Sequence, residues 1–320
     1  MVACRMNDTI NNTNLHVPVL LDESIAGLNI KPSGVYLDAT FGRGSHTRAI
    51  LNQLDQNGRL IAFDKDQEAI HYAKQYIHDD RFRIIHTSFS MMEKVLKNLN
   101  IFGQIHGILF DLGVSSPQLD DGERGFSFMR EGKLDMRMDT TQGIDAASWL
   151  SQIGEKELAD VLWQYGEEKY SRKISRAIVE SRKEKAITTT TELADIIRKV
   201  LPKPHFHDKH PATRSFQAIR IAINQELEEL PKALDQALNA LIVGGRLCVI
   251  SFHSLEDRIV KQFIKQHEKG EELPRGLPVK AVSFQSRLKS IGKPVKPDLQ
   301  EMNINPRARS AILRIAEKQL

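Results

Sequence analysis

Residues 34–47 read Gly34-Val35-Tyr36-Leu37-Asp38-Ala39-Thr40-Phe41-Gly42-Arg43-Gly44-Ser45-His46-Thr47, and the fold follows from how this stretch divides. Residues 34–38 place Val35, Tyr36 and Leu37 in a row before Asp38, the pattern of a short buried strand. Residues 45–54 read as a helix, so Gly42 and Gly44 fall in a strand-to-helix turn. Glycine there lets the backbone turn tightly and approach a ligand, and a helix N-terminus offers unpaired N–H groups. A Gly-x-Gly alone is weak, and a tight turn without a ligand is the plainer reading. Two acids strengthen the ligand reading. Asp38 ends the first strand, and Asp64 ends a second about twenty residues on, where a carboxylate can accept from ribose hydroxyls.

Outward from this turn the pattern alternates. Strands are predicted over 59–64, 82–87 and 105–111, with helices over 67–77 and 91–99. Alternation of this kind calls for a parallel sheet with right-handed crossovers. After Asp111 it stops. Residues 112–143 are loop-like, and helices follow over 155–165, 169–183 and 192–201, the last with Thr189 and Glu192 at capping-box spacing. Helices over 213–229 and 231–240 lead, past Gly244-Gly245, to a strand over 246–252, a helix over 254–267 and a final strand over 310–315. The expected fold is α/β, with a Rossmann-like sheet built from residues 15–111 and 213–320 and an inserted loop and all-helical domain over 112–212. Residues 1–14, polar and rich in Asn and Thr, read as a flexible leader.

The 320 residues are 41% hydrophobic and 27% charged, an ordinary globular composition. No apolar run approaches the roughly 20 residues of a membrane span. Two cysteines, Cys4 and Cys248, exclude a disulfide framework and fit a reducing cytoplasm. The net charge of +4 is unevenly spread: residues 274–320 hold ten Lys/Arg against three acids. Such a basic segment with Pro and Gly breaks suits a polyanion, a solvated charged face being the alternative. Arg172, Lys173, Arg176, Arg182, Lys183 and Lys185 on one predicted helix are open to the same two readings. His205, His207 and His210 crowd a loop with Pro202, Pro204 and Pro211, which reads as polar surface, so no metal site is expected.

Charge separates the candidate ligands. A carboxylate at Asp38 opposes a pyrophosphate, and Thr47 stands near the place of a third dinucleotide-binding glycine. S-adenosylmethionine has no phosphate and carries an amino group and a sulfonium, so it fits better than a nicotinamide dinucleotide. The loop Asp111-Leu112-Gly113-Val114-Ser115-Ser116-Pro117-Gln118 leaves the fourth strand at the sheet's ligand-binding edge. An exocyclic amine on a base is a poor nucleophile because its lone pair is conjugated into the ring. Acceptors such as Asp111 and the loop carbonyls, aimed at its N–H bonds, would restore that nucleophilicity; a turn-capping Asp111 is the alternative. His253, in Ser251-Phe252-His253-Ser254-Leu255-Glu256-Asp257-Arg258, ends a strand facing the same cleft, with Ser254 and Asp257 spaced like a capping box. No Gly-x-Ser-x-Gly elbow supports a serine hydrolase. Asp111, Ser115, Ser116 and His253 are thus the candidate catalytic residues, and Asp38, Gly42 and Gly44 belong to the candidate cofactor loop.

With these residues in place the chain resembles, over nearly its whole length, the bacterial MraW/RsmH family of 16S ribosomal RNA cytosine-N4 methyltransferases. The segments that carry the resemblance are residues 16–21, 38–47, 110–121, 125–128, 134–138, 251–258 and 305–310. The resemblance implies a class I methyltransferase fold with an inserted helical domain, and N4-methylation of a cytosine in the decoding centre. It implies 16S rRNA of the small subunit as partner, S-adenosyl-L-methionine as cofactor and a cytoplasmic location, with a homodimer left open. By position it implies donor contacts at Gly44, Ser45, His46, Asp64, Phe89, Asp111 and Gln118, with Phe89 against the adenine. Asp111 then serves the donor more than the base. Ser45 stands where relatives often have glycine. Ser116-Pro117-Gln118 lacks the second proline and the aromatic that many DNA amino-methyltransferases carry there, so a flipped base must stack elsewhere, with Phe126, Phe128 and Phe252 as candidates.

Overall fold

The computed structural model describes residues 18–202, 210–269 and 286–320. α1 (Leu21–Leu28) precedes β1 (Val35–Asp38), α2 (Ser45–Leu51), β2 (Arg59–Asp64), α3 (Gln67–Tyr76), β3 (Phe82–His86), α4 (Met92–Asn98) and β4 (Ile105–Asp111). A short α5 (Ser116–Asp120) is followed by α6 (Ala146–Gln152), α7 (Glu155–Gly166), α8 (Ser171–Glu184) and α9 (Thr190–Val200), all away from the sheet. The chain returns through α10 (Thr213–Asn224), α11 (Glu226–Ala240), β5 (Leu241–Ser251), α12 (Ser254–Lys269), β6 (Leu288–Ser290), α13 (Leu299–Ile304) and β7 (Ile312–Lys318).

The seven strands lie in the order β3-β2-β1-β4-β5-β7-β6. β1 to β5 are mutually parallel, as the alternation predicts, but β7 runs antiparallel to both β5 and β6. The chain moves outward one way from β1 to β3, then crosses back to β4. That switch opens a crevice at the carboxyl ends of β1 and β4, where ligands sit in doubly wound sheets. Helices cover both faces: α4, α11 and α12 pack on one, with Leu37, Ile108, Phe110 and Val249, and α1 and α2 on the other, with Tyr36, Leu60, Leu109 and Cys248. Burial on both faces explains the apolar runs of β4 and β5. Among the described residues no helix is long and apolar enough to cross a membrane.

The inserted helices have their own core, built on Leu150, Leu162, Ile178 and Leu193. Thr189 caps α9 as predicted: its hydroxyl accepts the Glu192 N–H at 3.2 Å, and Glu192 accepts the Thr189 N–H at 3.2 Å. α10, grouped with the sheet on its sequence, packs instead into this second core through Phe216, Ala218 and Ile219. The single helix expected over 213–229 breaks at Gln225, whose φ of 53° is left-handed. Pro231 therefore lies inside α11 rather than opening it.

β5 begins at Leu241, and Gly244-Gly245 forms an irregularity within it: Ile105 pairs with Leu241, but Gly107 pairs with Arg246. Asp257 does not cap α12 with Ser254. It takes Arg314 of β7 at 2.7 and 3.1 Å, while Glu256 accepts the backbone N–H of Phe252 at 2.8 Å. α1 and α6 had no expectation attached to them. The leader 1–14, His16, Cys4, His205, His207, Arg275 and Lys280 lie outside the described residues.

The loop between α5 and α6 is held down by one buried pair. Arg124 donates to Asp66 at 2.8 Å, both side chains being under 10% exposed, and its other nitrogen reaches the carbonyls of Arg137 and Met138 at 3.1 Å. Removing one partner of a buried pair typically costs about 3–5 kcal/mol. Arg124→Met is expected to lose stability on that scale in chemical denaturation, with faster amide exchange at Met136 and Met138. A variant as stable as wild type would show that the loop is held otherwise.

Candidate active site

The glycine turn is built by its two acids. Asp38, buried at the end of β1, accepts the Thr40 N–H at 3.1 Å and the Thr47 hydroxyl at 2.7 Å, stapling the strand to the first turn of α2. Asp64 accepts the Gly42 N–H at 2.7 Å and the Asp66 N–H at 2.8 Å. Gly44 holds a φ of 73°, and a Cβ there would stand 2.6 Å from the Phe41 ring, so conformation and space both require glycine. Burial pushes each of Asp38 and Asp64 up to about 6, Asp64 with help from neighbouring Asp66 and Asp38. With its Gly42 N–H given to Asp64, the turn has one donor fewer for a phosphate.

Above the turn lies a cavity of about 350 Å³, within the usual small-molecule range. Of the residues singled out in the sequence, Gly42, Ser45, His46, Asp64 and Phe89 line it from the β1 to β3 side. Asp111, Ser115, Ser116 and Gln118 line it from the β4 side. Three do not reach it. Asp38 lies behind the turn it staples, Gly44 packs under Phe41, and His253 stands behind Glu256, 3.2 Å from its carboxylate.

Asp111 sits in a strongly perturbing environment in the cavity. Its backbone N–H donates to the Thr40 hydroxyl at 2.6 Å, and its Oδ2 lies 3.7 Å from His46 Nδ1. Its Oδ1 is buried with no hydrogen-bond partner. Burial, with the charges of Asp38 and Glu256, pushes its carboxyl up to about 8. Gln118 is fixed in the cavity wall by its neighbours: it accepts the Ser115 N–H at 2.9 Å and donates one amide hydrogen to Asp66 at 2.7 Å. Phe89 stands edge-on to Phe110 with centroids 5.7 Å apart, giving the cavity a flat apolar wall.

Several lining residues escaped the sequence reading. Arg220 binds Glu226 through two contacts of 2.9 Å, across the left-handed break at Gln225. A separation of six residues is no helical pairing, so nothing in the spacing signals it. Glu256 lines the cavity in place of His253. Burial raises its carboxyl, but His253, Arg220 and the Phe252 N–H together hold it below the usual range. Asn305 and Arg307 close the cavity from the C-terminal segment. Of the three stacking candidates, Phe126 and Phe128 belong to the insert's core, Phe128 against His210 with centroids 4.4 Å apart; Phe252 lines the cavity. On α8, Arg182 donates to the Leu150 carbonyl, and Lys183 pairs with Glu180 at 2.8 Å, so part of its charge is used locally.

An acid whose folded pKa lies above its unfolded one holds its proton longer when folded. Stability is therefore lost as pH rises through that window, here from about 4 to about 8. Asp111→Asn has no such loss. Its melting temperature is expected to gain on wild type progressively from pH about 4 to about 8. A gap that stays constant with pH would rule out this environment for Asp111.

The family model described as the MraW methylase family matches residues 13–319. Three curated relatives are each called ribosomal RNA small subunit methyltransferase H. That of Pseudoalteromonas atlantica is 57% identical over 306 residues, covering 95% of this chain and 98% of the relative. That of Idiomarina loihiensis is 54% identical over 311 residues, covering 97% and 98%. That of Hydrogenovibrio crunogenus is 54% identical over 303 residues, covering 95% and 96%. The chain belongs to the MraW methylase family and is an S-adenosylmethionine-dependent methyltransferase.

Proposed function

We propose that the protein methylates N4 of a cytosine in the decoding centre of 16S ribosomal RNA, in the cytoplasm, by direct transfer to the exocyclic amine. The observation that carries this reading is Asp111: a carboxyl at the mouth of β4, 29% exposed and 3.7 Å from His46, lining a cavity beside a glycine turn whose Gly42 N–H is given to Asp64. The names of the relatives, which refer to small-subunit ribosomal RNA, support the substrate class.

The residues fit a cationic donor. Asp64, Asp111 and Glu256 bring carboxyls to the cavity, and Phe89 offers the flat wall an adenine needs. Gly42, Ser45, His46, Asp64, Phe89 and Gln118 would hold the donor, with Asp38 and Gly44 keeping the turn in shape behind them. When bound, the donor supplies a methyl group on a positively charged sulfur. The Asp111 carboxyl, ionised when a cation lies beside it, would accept an N–H of the target amine, which concentrates the lone pair on nitrogen, and take the proton that the amine sheds. Ser115 and Ser116 line the cavity beside it, although the Ser115 carbonyl itself accepts the Leu119 N–H at 3.3 Å. Phe252 offers a ring against which a flipped base stacks. No covalent enzyme intermediate is needed, because the amine is itself the nucleophile.

Calorimetric titration is expected to show binding of S-adenosylmethionine and none of NADH; the reverse result overturns the cofactor assignment. Incubation with small subunits from a strain lacking this gene should place the new methyl on one cytosine N4 by mass mapping. A methyl on another atom or another RNA overturns the substrate assignment. Asp111→Ala is expected to lose transfer by at least about 100-fold, and full activity would remove Asp111 from the chemistry.

A further inference from the structure

Two arginines from distant parts of the chain converge on one residue beside the cavity. Arg307, in the C-terminal segment, grips the carboxylate of Asp120 at the end of α5, with Nη2 2.6 Å from Oδ1 and Nη1 3.5 Å from Oδ2. Arg130, from the loop after α5, donates to the Asp120 carbonyl at 3.1 Å. Both backbones are anchored. The Arg130 carbonyl accepts the Thr190 hydroxyl at 3.0 Å. Arg307 receives the Asn305 cap at 3.1 Å and is followed by the buried Ala308. The charged ends, by contrast, are open: the Arg307 and Asp120 side chains are 44% and 53% exposed.

An ion pair this exposed adds little to stability, so holding α5 in place does not account for it. Its geometry has another use. A guanidinium fork fixed at a cavity entrance matches the paired oxygens of a phosphate as well as those of a carboxylate. Arg307 itself lines the cavity, as does Asn305 beside it, and Arg309 adds an exposed positive charge two residues on. A nucleotide turned into the cavity must bring its own phosphate to this rim.

We propose that Arg307 clamps a phosphate of the RNA strand that presents the target nucleotide, with Asp120 as the internal placeholder that the phosphate displaces and Arg130 holding the Asp120 backbone in place. The clamp rests on the ribosomal RNA reading above and adds to it the residues that seat the strand. It makes a prediction that a simple latch does not: the two partners of one ion pair act in opposite directions. Losing the arginine removes the phosphate contact, whereas neutralising the acid removes its competitor.

The test uses the full chain and small subunits from a strain lacking this gene, comparing wild type with Arg307→Ala, Arg307→Lys and Asp120→Asn. KM for subunits, the salt dependence of subunit binding and donor affinity by calorimetry are measured for each. Arg307→Ala should raise KM on the order of tenfold and flatten the log–log salt slope by about one. Arg307→Lys should keep the slope while losing part of the affinity, since the charge remains without the fork. Asp120→Asn should lower KM. Donor affinity should be unchanged throughout. If Asp120→Asn and Arg307→Ala weaken subunit use alike, the pair is a latch and the clamp is overturned. If wild type methylates no small-subunit RNA, the substrate reading fails first and the clamp falls with it.

Discussion

A single carboxylate, Asp66, ties the cavity end of the sheet to the loop and short helix that lie over it. It caps α3 by accepting the Glu68 N–H at 3.0 Å, and it also receives Gln118 and Arg124, 52 and 58 residues further along the chain. Arg124 then carries the segment at Arg137 and Met138, which Asn224 grips from the other side by accepting the Met138 N–H at 2.7 Å. Three segments that could each drift are thereby referred to one point at the cavity wall. A buried ion pair is a poor source of net stability, but it is intolerant of misplacement, because a partner left alone in a dry site is costly. The crevice at the strand ends is made by topology. Its roof is made by this pair.

Much of the sheet could be read directly because its causes are local. Residues 34–47 contain a buried strand, a left-handed turn and a helix start, and Gly42 and Gly44 both adopt the positive φ that the turn needs. The apolar runs of β2 and β4 and the capping box at Thr189 are likewise written within a few residues. The errors fall where distance decides. Gln225, a residue with no special turn chemistry, takes a left-handed conformation because α10 must leave the insert's core and α11 must join the sheet's. Gly244-Gly245 looks like a helix stop yet sits inside β5, since β4 pairs on both sides of it.

The same division runs through the candidate site. The acids at strand ends were legible as acids near a ligand, but which of them faces the cavity was not. Asp38 has both oxygens committed to Thr40 and Thr47, and His253 yields its place to Glu256 because Glu256 accepts the backbone N–H groups where β5 turns into α12. Arg220 and Glu226 meet only because the helix breaks between them. Pattern and spacing say which chemistry is available near a sheet edge. Packing decides which groups are left over to perform it, and the partly exposed Asp111 carboxyl in the cavity lining is such a group.

The bond from the Gly42 N–H to Asp64 has a meaning beyond the shape of the turn. Cells hold adenine nucleotides in large excess over most other adenine-bearing molecules, and nearly all of them carry phosphates. A turn that has already spent this donor on its own carboxylate has one N–H fewer to offer a phosphate, and it keeps an acid at the cavity wall to face an adenosine that bears a cation. Selectivity of this sort requires no contact with the unwanted molecules and no lid to shut them out.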